Sequence, residues 1–545
     1  MLKRSGQRSG RNGGCEVIDL NKIPECEKTP LVISLIQMVR SFIIELQSMR
    51  DEIARLKKQK GKPKIPPSRL EKDPEEEKEK EKDKKNKKKP KKRPGSKKRN
   101  KTEKLTIHET IPVPPKDLPP GSKLIGSRNW FVQGLIIQAH NVCYQLEKWK
   151  TPDGKVVSGA LPDSVNGHFD MMLRSFILQQ HHQCHVTQPL ILEELRDIGV
   201  DISAGQVNRI LTEKNDAFHA EKDQILAAGL EVSDYIQVDD TGARHDGKNG
   251  YCTHIGNSFF AWFKSTGSKS RLNFLNLLQA GRSDYVVNKD AVSYMRDKKL
   301  TTSHLENLEN STTTQFESEA DWEQHLKALG IETSRHIKIA TEGALLGSIL
   351  HHGFSKELVI ISDDAGQFNI LLHALCWVHA ERTIHKLIGC SEEECTAIEQ
   401  IRDRIWMLYR GLKAYKEKPD PQTKHELEKQ FDEIFATQTC SEVLDAALGR
   451  IAKNKTELLL VLERPDIPLH NNLSESDIRE YVKKRKISGG TRSENGRKSR
   501  DTFISLKKTC RKLGVSYWDY LKDRISKSKT IPPLPELIRE RAQSG

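Results

Sequence analysis

The sequence of 545 residues contains no uninterrupted apolar run of the about 20 residues that a membrane-spanning helix needs. Its first residues, MLKRSGQRSGRNGGCEVIDL, also lack the apolar centre of a secretory signal peptide. Hydrophobic residues make up 36% of the chain, which is below the usual range for a fully globular protein. These absences predict a cytoplasmic protein without a membrane partner, in which part of the chain builds no core.

Cysteine is sparse and has no metal-binding pattern. The chain has 10 Cys and no CxxC pair, and Cys390 and Cys395 are the closest two. Such spacing is weak support for a metal site, and scattered thiols are typical of a reducing compartment. We expect neither disulfides nor a zinc site.

Basic charge is concentrated in one segment. Residues 82–104 hold 14 Lys and Arg against 2 acidic residues, and this surplus of 12 leaves only +3 of the total +15 for the rest of the chain. Residues 58–104 cannot bury a core and are predicted to form a disordered, charged linker. Its basic half is expected to attract a phosphate backbone through counterion release, and this role is compatible with that of a solvated tether.

The N-terminal segment, 1–57, contains a helical repeat. Its apolar residues are spaced alternately three and four apart, at Val32, Leu35, Val39, Phe42, Leu46, Met49, Ile53 and Leu56. This spacing is typical of a coiled-coil seam and predicts a homo-oligomer, although a helix packed on its own domain would show a similar pattern. Residues 105–185 are predicted as a small accessory module, with strand-like runs in WFVQGLIIQAHNVCYQLEKW and a helix in GHFDMMLRSFILQQHH.

Residues 186–230 contain the pattern of a helix-turn-helix. Pro189 suits the first turn of a helix that ends at Gly199, and Ser203 is a natural N-cap for a second helix. In a DNA-binding motif the second helix enters the major groove. The predicted DNA contacts are therefore Ser203, Gln206, Asn208 and Arg209, whereas the alternative is an ordinary helical hairpin.

From residue 231 the pattern changes to a mixed α/β order. Strands are predicted in YIQVDD, GYCTHIG, SFFAWFKST and ELVIISDD, with turn signals at Asp246-Gly247 and Asn249-Gly250. EGALLGSILHHG and residues 369–387, NILLHALCWVHAERTIHKL, are predicted as helices. A charged helical block at 388–468 and further helices at 469–530 precede a tail at 531–545.

Three acids suggest the chemistry. Asp239 and Asp363 each end a predicted strand, and Glu475 lies in the first turn of a predicted helix. Two carboxylates about 4 Å apart repel by about 4 kcal/mol at an effective dielectric of about 20, so a cluster of acids needs a proton or a cation. Mg²⁺ prefers oxygen ligands, and a pair of such ions supports in-line phosphoryl displacement. Each acid alone could equally be a turn former or a helix cap.

Three segments carry a resemblance to a known family. VDDTGARHDGKNG, SDDAGQF…LCWVHAERTIHKL and LHNNLSESDIREYVKKRKISGG…ENGRKSRDTFISLKKTCRKLGVSYWDYL resemble those of DDE transposases of the insertion-sequence-66 family, and the likeness runs from about residue 120 to 525. The resemblance implies a ribonuclease-H-like catalytic core at 231–387 and 469–530, interrupted by a helical insertion. It also implies that Asp239, Asp363 and Glu475 coordinate two Mg²⁺ ions, with Mn²⁺ as a substitute.

The sequence departs from the family pattern in three ways. Asp240 stands where the family has Glu, which leaves open a one-residue shift in the first acid. The zinc-binding cysteines that often precede the catalytic core are missing, and the stretch between the first two acids is long, with residues 290–335 as the expected insertion. None of these departures removes a catalytic acid.

Further DNA contacts are predicted near the acids. His379 and Arg382 are three apart on one predicted helix and could contact the scissile phosphate, whereas Trp377 is predicted as core. A second backbone-binding surface is predicted from a set of basic residues: Lys483, Lys484, Arg485, Lys486, Arg492 and Arg497. The expected function is a transposase that binds double-stranded DNA at element ends and at the target. A nuclease without joining activity and a transposase-derived DNA-binding protein are the alternatives.

Overall fold

The computed structural model describes residues 106–544, apart from 116, 118 and 163–166, and part of an N-terminal helix. That helix is described at positions 32, 34, 35, 37–39, 41, 42, 44–46 and 49. The helix predicted there is confirmed at these positions. The predicted linker at 58–104 lies outside the described residues. The described residues divide into a larger unit, which includes 144–196 and 201–544, and a smaller unit of 106–143 and 197–200.

The prediction of strands in WFVQGLIIQAHNVCYQLEKW is wrong for all but the last residues of that segment. The described residues from 106 to 147 form neither helix nor strand, and the first strand begins only at Lys148. A strand needs a neighbour to pair with, and the described part of this chain supplies none to these residues. The apolar, β-prone composition that led to the prediction is nevertheless present, and its side chains are mostly exposed.

A short ribbon and four helices precede the main sheet. The ribbon pairs β1 and β2 antiparallel, and the second helix of the predicted helix-turn-helix, α3, begins after Ser203, whose side chain accepts from the Gln206 N–H. Gly199, at φ +86°, follows the preceding helix as predicted. The bounds are β1 Lys148–Lys150, β2 Val156–Ser158, α1 Met171–His182, α2 Gln188–Asp197, α3 Ala204–Thr212 and α4 Asp216–Val232.

The central element is a five-stranded mixed sheet with strand order β5-β4-β3-β8-β9. Antiparallel pairing joins β5, β4 and β3, and parallel pairing joins β3, β8 and β9. The turn between β3 and β4 is the predicted Asp246-Gly247, and positive φ at both residues (45° and 71°) is the signature of a two-residue type I′ hairpin. The bounds are β3 Tyr235–His245, β4 Lys248–Gly256, β5 Ala261–Thr266, β8 Val359–Ser362 and β9 Leu372–Leu375.

Helical segments surround this sheet. The predicted polar excursion forms short helices, and the predicted block at 388–468 is helical. The bounds before β8 are α5 Arg271–Leu278, β6 Tyr285–Val286, α6 Lys289–Asp297, α7 Thr302–Glu309, β7 Gln315–Phe316, α8 Glu319–Ala328 and α9 Ser334–His351. Those after β9 are α10 Trp377–His385, α11 Glu392–Glu417, α12 Pro421–Phe435, α13 Glu442–Ala452, α14 Lys455–Leu458, a 3₁₀ turn at Leu460–Leu462, α15 Asn472–Ser488, α16 Glu494–Leu513, α17 Tyr517–Ser526 and α18 Leu534–Gln543. No helix in the described ranges is long and apolar enough to cross a membrane.

The single long helix predicted at 369–387 is wrong. Residues Leu372–Leu375 form β9, which pairs parallel with β8, and the helix begins only at Trp377. A short apolar run has no periodicity that separates a buried strand from a buried helix, so the neighbouring strand decides. Trp377 is core as predicted, because it is 1% exposed and its indole Nε1–H donates to the Leu458 carbonyl at 2.8 Å.

Helix α16 closes the outer edge of the sheet at β5. Side chains four residues apart on the helix, Asp501, Ser505 and Thr509, accept from backbone N–H groups two residues apart on the strand, at Ser265, Phe263 and Ala261. Four helical residues rise about 6 Å and two strand residues about 6.6 Å, so the two repeats match over this length. The edge is therefore capped by side chains and is not open to a further strand.

Two histidines, His182 and His219, are buried against α16, and His181 beside them is half-buried. His182 stacks on Phe503 with ring centroids 4.3 Å apart, and His219 bonds the Thr502 hydroxyl at 2.8 Å. Burial lowers the pKa of His219 to about 4 and that of His181 to about 3, where the Lys484 charge adds to the effect. Burial likewise holds the pKa of His182 well below its ordinary value, so the folded chain keeps these rings neutral.

We predict that the protein loses stability as the pH falls below about 6.5, because the unfolded chain then binds protons that the folded chain excludes. The His182→Leu variant should lose less unfolding free energy between pH 7.5 and pH 5 than the wild type does. Urea unfolding at both pH values measures this difference. His425→Leu, at an exposed position, is the control. Parallel pH profiles for wild type and His182→Leu would contradict the prediction.

Candidate active site

The strand register brings two of the predicted acids to equivalent positions. The parallel ladder pairs Gln237 on β3 with Ile361 on β8, and two residues further along lie Asp239 and Asp363. Neighbouring strands are about 4.8 Å apart, so the backbones at these two positions are adjacent. Asp239 therefore lies within β3, beside the point where β8 ends and Asp363 follows.

Asp239 and Asp240 face opposite sides of the sheet, as successive strand residues do. Asp239 is 4% exposed and pairs across the ladder with His254 on β4. Asp240 is bonded by the Thr253 hydroxyl at 2.6 Å and by the Gln367 amide at 2.9 Å. Asp240 thus fastens the loop that follows Asp363, whereas Asp239 shares a face with His254.

Helix α15 carries the third acid and is attached to β3 by buried polar contacts at its start. The Asn471 side-chain amide donates to the Val238 carbonyl at 2.8 Å, and the Gln237 amide donates to the His470 carbonyl at 3.0 Å. The Gln237 side-chain oxygen accepts from the Ser474 N–H at 3.2 Å. These contacts set the first turn of α15, and with it Glu475, beside the strand position of Asp239.

Buried charges fix the same helix to β4 and α16. His254 bonds the Ser474 hydroxyl through Nδ1 at 2.7 Å and lies 3.2 Å from Asp477 through Nε2. Asp477 also pairs with Lys508 at 2.7 Å and Lys512 at 2.9 Å. Burial alone would raise the pKa of Asp477, but the His254 bond and the two lysine charges outweigh it and hold that pKa well below its ordinary value. The carboxylate is therefore ionised and binds three partners at once.

Glu475 and His379, both predicted site residues, are in contact. The His379 Nε2 atom lies 3.4 Å from the Glu475 Oε1 atom, and both side chains are about four-fifths buried, at 18% and 20% exposed. Arg382 lies half-buried one turn further along the same helix, α10. Helix α10 starts directly after β9, so the sheet places His379 near the acids.

A cation near Asp363 is missed by sequence reasoning. Arg271, the first residue of α5, lies 3.7 Å from the buried Glu342 carboxylate and donates to the Tyr294 hydroxyl at 3.4 Å. It also donates to the carbonyl of Gly366, three residues after Asp363. No local motif marks Arg271, because its partners come from α6, α9 and the loop after β8.

His373 on β9 completes this side of the site. It bonds the Ser362 hydroxyl at 2.8 Å, next to Asp363 in the chain. Burial lowers the pKa of His373 to about 4; the Asp363 charge opposes this shift and the Arg271 charge adds to it. His373 is thus a neutral ring beside the second acid.

The three acids fit Mg²⁺ in donor type, because all are carboxylates. They are not drawn together as a finished metal site: within residues 106–544 as described, no group of three or more His, Cys, Asp or Glu has metal-holding spacing. The Glu475 carboxylate is instead directed to His379. A bound cation would have to draw Glu475 towards the two strand acids.

The predicted helix-turn-helix contacts lie at the start of α3. Asn208 and Arg209 are exposed, and Gln206 is half-buried. The Gln206 side-chain oxygen accepts from Arg209 at 2.8 and 3.1 Å, and Asn208 accepts from Gln188 at 3.2 Å. Ser203 serves as the helix cap. These bonds order the side chains that the prediction assigns to base reading.

The predicted basic surface is only partly a surface. Lys483, Lys486 and Arg492 are exposed. The inclusion of Lys484 is wrong, because it is 4% exposed and its amine donates to the His181 carbonyl at 2.7 Å. Burial and the charges of Arg500 and Lys507 lower the pKa of Lys484 to about 7. Lys484 therefore belongs to the buried interior and not to the basic surface.

Two further members of that set are half-buried and have partners. Arg497 pairs with Glu494, three residues earlier on α16. Arg485 donates to the Gly242 carbonyl on β3. Arg485 therefore helps to hold α15 against the sheet.

The β3–β4 hairpin is hydrogen-bonded to the residues that follow α15. The Thr491 N–H donates to the Arg244 carbonyl at 3.0 Å, and the Asp246 N–H donates to the Thr491 carbonyl at 2.8 Å. A Cβ at Gly490 would lie 2.5 Å from the Arg244 carbonyl oxygen, so this contact requires glycine. Arg244 and Lys248 on this hairpin are exposed and were not among the predicted DNA contacts. They add two basic residues near the end of α15.

Comparisons with known proteins give a family and a relative of this chain. A family described as "Transposase IS66 family" matches residues 330–499, which include Asp363 and Glu475. An uncharacterised protein, y4jO, of Sinorhizobium fredii (strain NBRC 101917 / NGR234) is 44% identical over 321 residues, which is 58% of this chain and all of that protein.

The protein has an α/β fold in which Asp239, Asp363 and the turn that carries Glu475 lie beside the parallel strands of a mixed sheet. The chain belongs to the IS66 family of transposases. Membership of a transposase family implies DNA binding in general.

We predict that Arg271→Met lowers DNA strand cleavage at least about 10-fold, because the loop after Asp363 loses its cationic anchor and Glu342 is left buried without it. Arg271→Lys should restore part of the rate, since an amine can replace one of the contacts but not all. The assay is single-turnover cleavage of an element end, with the unfolding free energy measured in parallel. Equal cleavage by wild type and Arg271→Met would contradict the prediction.

Proposed function

We propose that the protein is a DDE transposase that binds the ends of an insertion sequence and catalyses metal-dependent DNA strand cleavage and strand transfer. The proposal includes a ribonuclease-H-like core, built from the mixed sheet and α15. Its site of action is DNA in the cytoplasm. The observation that supports it is that Asp239 on β3, Asp363 directly after β8 and the first turn of α15 with Glu475 lie beside one another on that sheet.

In this proposal the three carboxylates hold two Mg²⁺ ions, for which Mn²⁺ can substitute. When bound, the ions would neutralise phosphate charge and favour an ionised attacking oxygen. His379 Nε2 lies 3.4 Å from the Glu475 carboxylate and would orient this third ligand. Buried His254 and Asp477 keep the first turn of α15 in register with β3.

The proposed reaction has two displacements at phosphorus. In the first, a water oxygen bonds to the phosphorus at the element end, the bond to the 3′-oxygen breaks, and a 3′-hydroxyl is released. In the second, that hydroxyl bonds to a target phosphorus and a target 3′-oxygen leaves. Neither step needs a covalent bond to the protein, so we expect no essential nucleophilic serine or tyrosine.

DNA recognition is assigned to two surfaces. Gln206, Asn208 and Arg209 on α3 would read base edges in the major groove. Exposed Lys483, Lys486 and Arg492 would contact the phosphate backbone near the acids, and His379 with Arg382 the scissile phosphate. Association through the N-terminal helix would hold two element ends together.

The acid assignment predicts that Asp239→Asn lowers cleavage by at least about 100-fold, as loss of a group stabilising transition-state charge does. DNA affinity should stay within about 3-fold, because the recognition surfaces are elsewhere. Asp240→Asn is the neighbouring comparison and should lower cleavage much less than Asp239→Asn, because Asn keeps one of the two hydrogen bonds by which Asp240 fastens the loop after Asp363. The measurement uses a labelled element end and follows both hydrolysis and joining of its 3′-hydroxyl to a target duplex.

The outcomes of this experiment separate the alternatives. Hydrolysis without joining would identify a nuclease, and binding without either step in the wild type would identify a DNA-binding protein. If Asp240→Asn rather than Asp239→Asn abolishes cleavage, the first acid is shifted by one residue. If both variants cleave normally, the assignment of the catalytic centre fails.

The two DNA surfaces predict different effects. Arg209→Ala should cost about 1–3 kcal/mol of binding to element ends and relax sequence preference, as loss of a base contact does. Lys486→Ala should weaken binding to any sequence equally and reduce the salt slope by about 1, as loss of a phosphate contact does. Binding isotherms at several salt concentrations, on end and scrambled duplexes, measure both. Identical behaviour of the two variants would contradict the division of roles.

A further inference from the structure

Residues 119–143, here called the arm, expose large apolar side chains along an irregular chain. Ile125 is 100% exposed, Ile136 85% and Trp130 80%. Nine such residues lie in the arm: Leu124, Ile125, Trp130, Phe131, Val132, Leu135, Ile136, Ile137 and Val142. A contiguous apolar surface of this kind marks a contact with another molecule more often than with solvent.

The backbone of the arm is as open as its side chains. Between described residues, the arm makes two backbone hydrogen bonds, from Ser122 N–H to the Pro119 carbonyl and from Ala139 N–H to the Ile198 carbonyl, each 3.2 Å. Residues 130–137, WFVQGLII, have the aromatic and β-branched composition of a strand, but the described part of the chain gives them no ladder partner. A neighbouring strand would complete them.

We propose that the arms of two copies of this chain pair antiparallel through residues 130–137, across a twofold axis. Such a contact is self-complementary, since each arm supplies the same apolar residues and the same free backbone groups to the other. The sequence prefers a strand here, and a second copy would supply the pairing partner that the described residues do not. The proposal is independent of the acid chemistry.

Charge and area favour a second copy over DNA. The arm contains two basic residues, Lys123 and Arg128, and no acidic residue. With so few basic residues the arm is poorly suited to a phosphate backbone. Residues 82–104 of the same chain, which hold 14 basic residues, are better suited to it. Each arm exposes nine large apolar side chains, six of them within residues 130–137, and these would contribute to the about 800 Å² that each partner of a stable interface buries.

The test uses the full chain and separates the arm from the N-terminal helix. Leu35→Asp with Phe42→Asp disrupts the helix seam, where both side chains are exposed at 50% and 57%. Val132→Asp with Ile136→Asp disrupts the arm, and Ser127→Asp with Gln138→Asp is the matched control at exposed polar positions of the arm outside residues 130–137. Sedimentation equilibrium of each variant, and of the seam and arm substitutions together, gives the dimer dissociation constant.

We expect the seam variant to remain a dimer, and the arm substitutions in that background to weaken it at least 10-fold, with no such effect from the control pair. Hydrogen exchange on the wild-type chain should protect residues 130–137 only at concentrations where it is dimeric. Protection in the monomer would mean that the arm packs on its own chain, and protection only with DNA would make it a DNA contact. Either result, or a seam variant that is monomeric, would overturn the proposal.

Discussion

The candidate site depends on the buried attachment of one helix to the centre of the sheet. Helix α15 is held at its first turn by Asn471 and Ser474 and further along by Asp477, a carboxylate shared by one histidine and two lysines. Removing one partner from such a buried charged group costs about 3–5 kcal/mol. The position of Glu475 is therefore set by its neighbours in the helix, and the third acid is as firmly placed as the two on the strands.

The long connection between the second and third acids is compatible with this placement because the insertion returns to the sheet where it left. The insertion packs on β8 and β9 through a shared core that includes Ile361, Trp377 and Leu408. The Trp377 N–H donates to the Leu469 carbonyl at 3.0 Å, two residues before Asn471. Arg402 in the insertion pairs with buried Glu381 at 2.6 Å, on the helix that carries His379. The insertion thus fixes α10 and the approach to α15 together.

Local chemistry allowed much of the sheet to be predicted, and long-range pairing explains what was missed. The hairpin at Asp246-Gly247, the end of β8 before Asp363 and the Ser203 cap depend on short-range preferences that a sequence displays. The predicted strand end at Asp239 is wrong, because pairing with β4 continues β3 to His245. Strand β9 was missed because only β8 distinguishes its four residues from a helix. Arg271 was missed because its partners are distant in sequence, and Lys484 was assigned to a surface because charge alone does not reveal burial.

The residues that attach α15 to the sheet are different from the proposed catalytic acids. The contacts that attach the helix are made by Gln237, Asn471, Ser474 and Asp477, which lie one to four residues from the acids. After the other end of α15, Gly490 approaches the Arg244 carbonyl so closely that only glycine fits there. Because attachment and chemistry are assigned to different side chains, the charge of an acid can change without loss of the attachment. Substitutions at Asp477 or Gly490 act in the opposite way, since they disturb the position of Glu475 while leaving every proposed ligand in the chain.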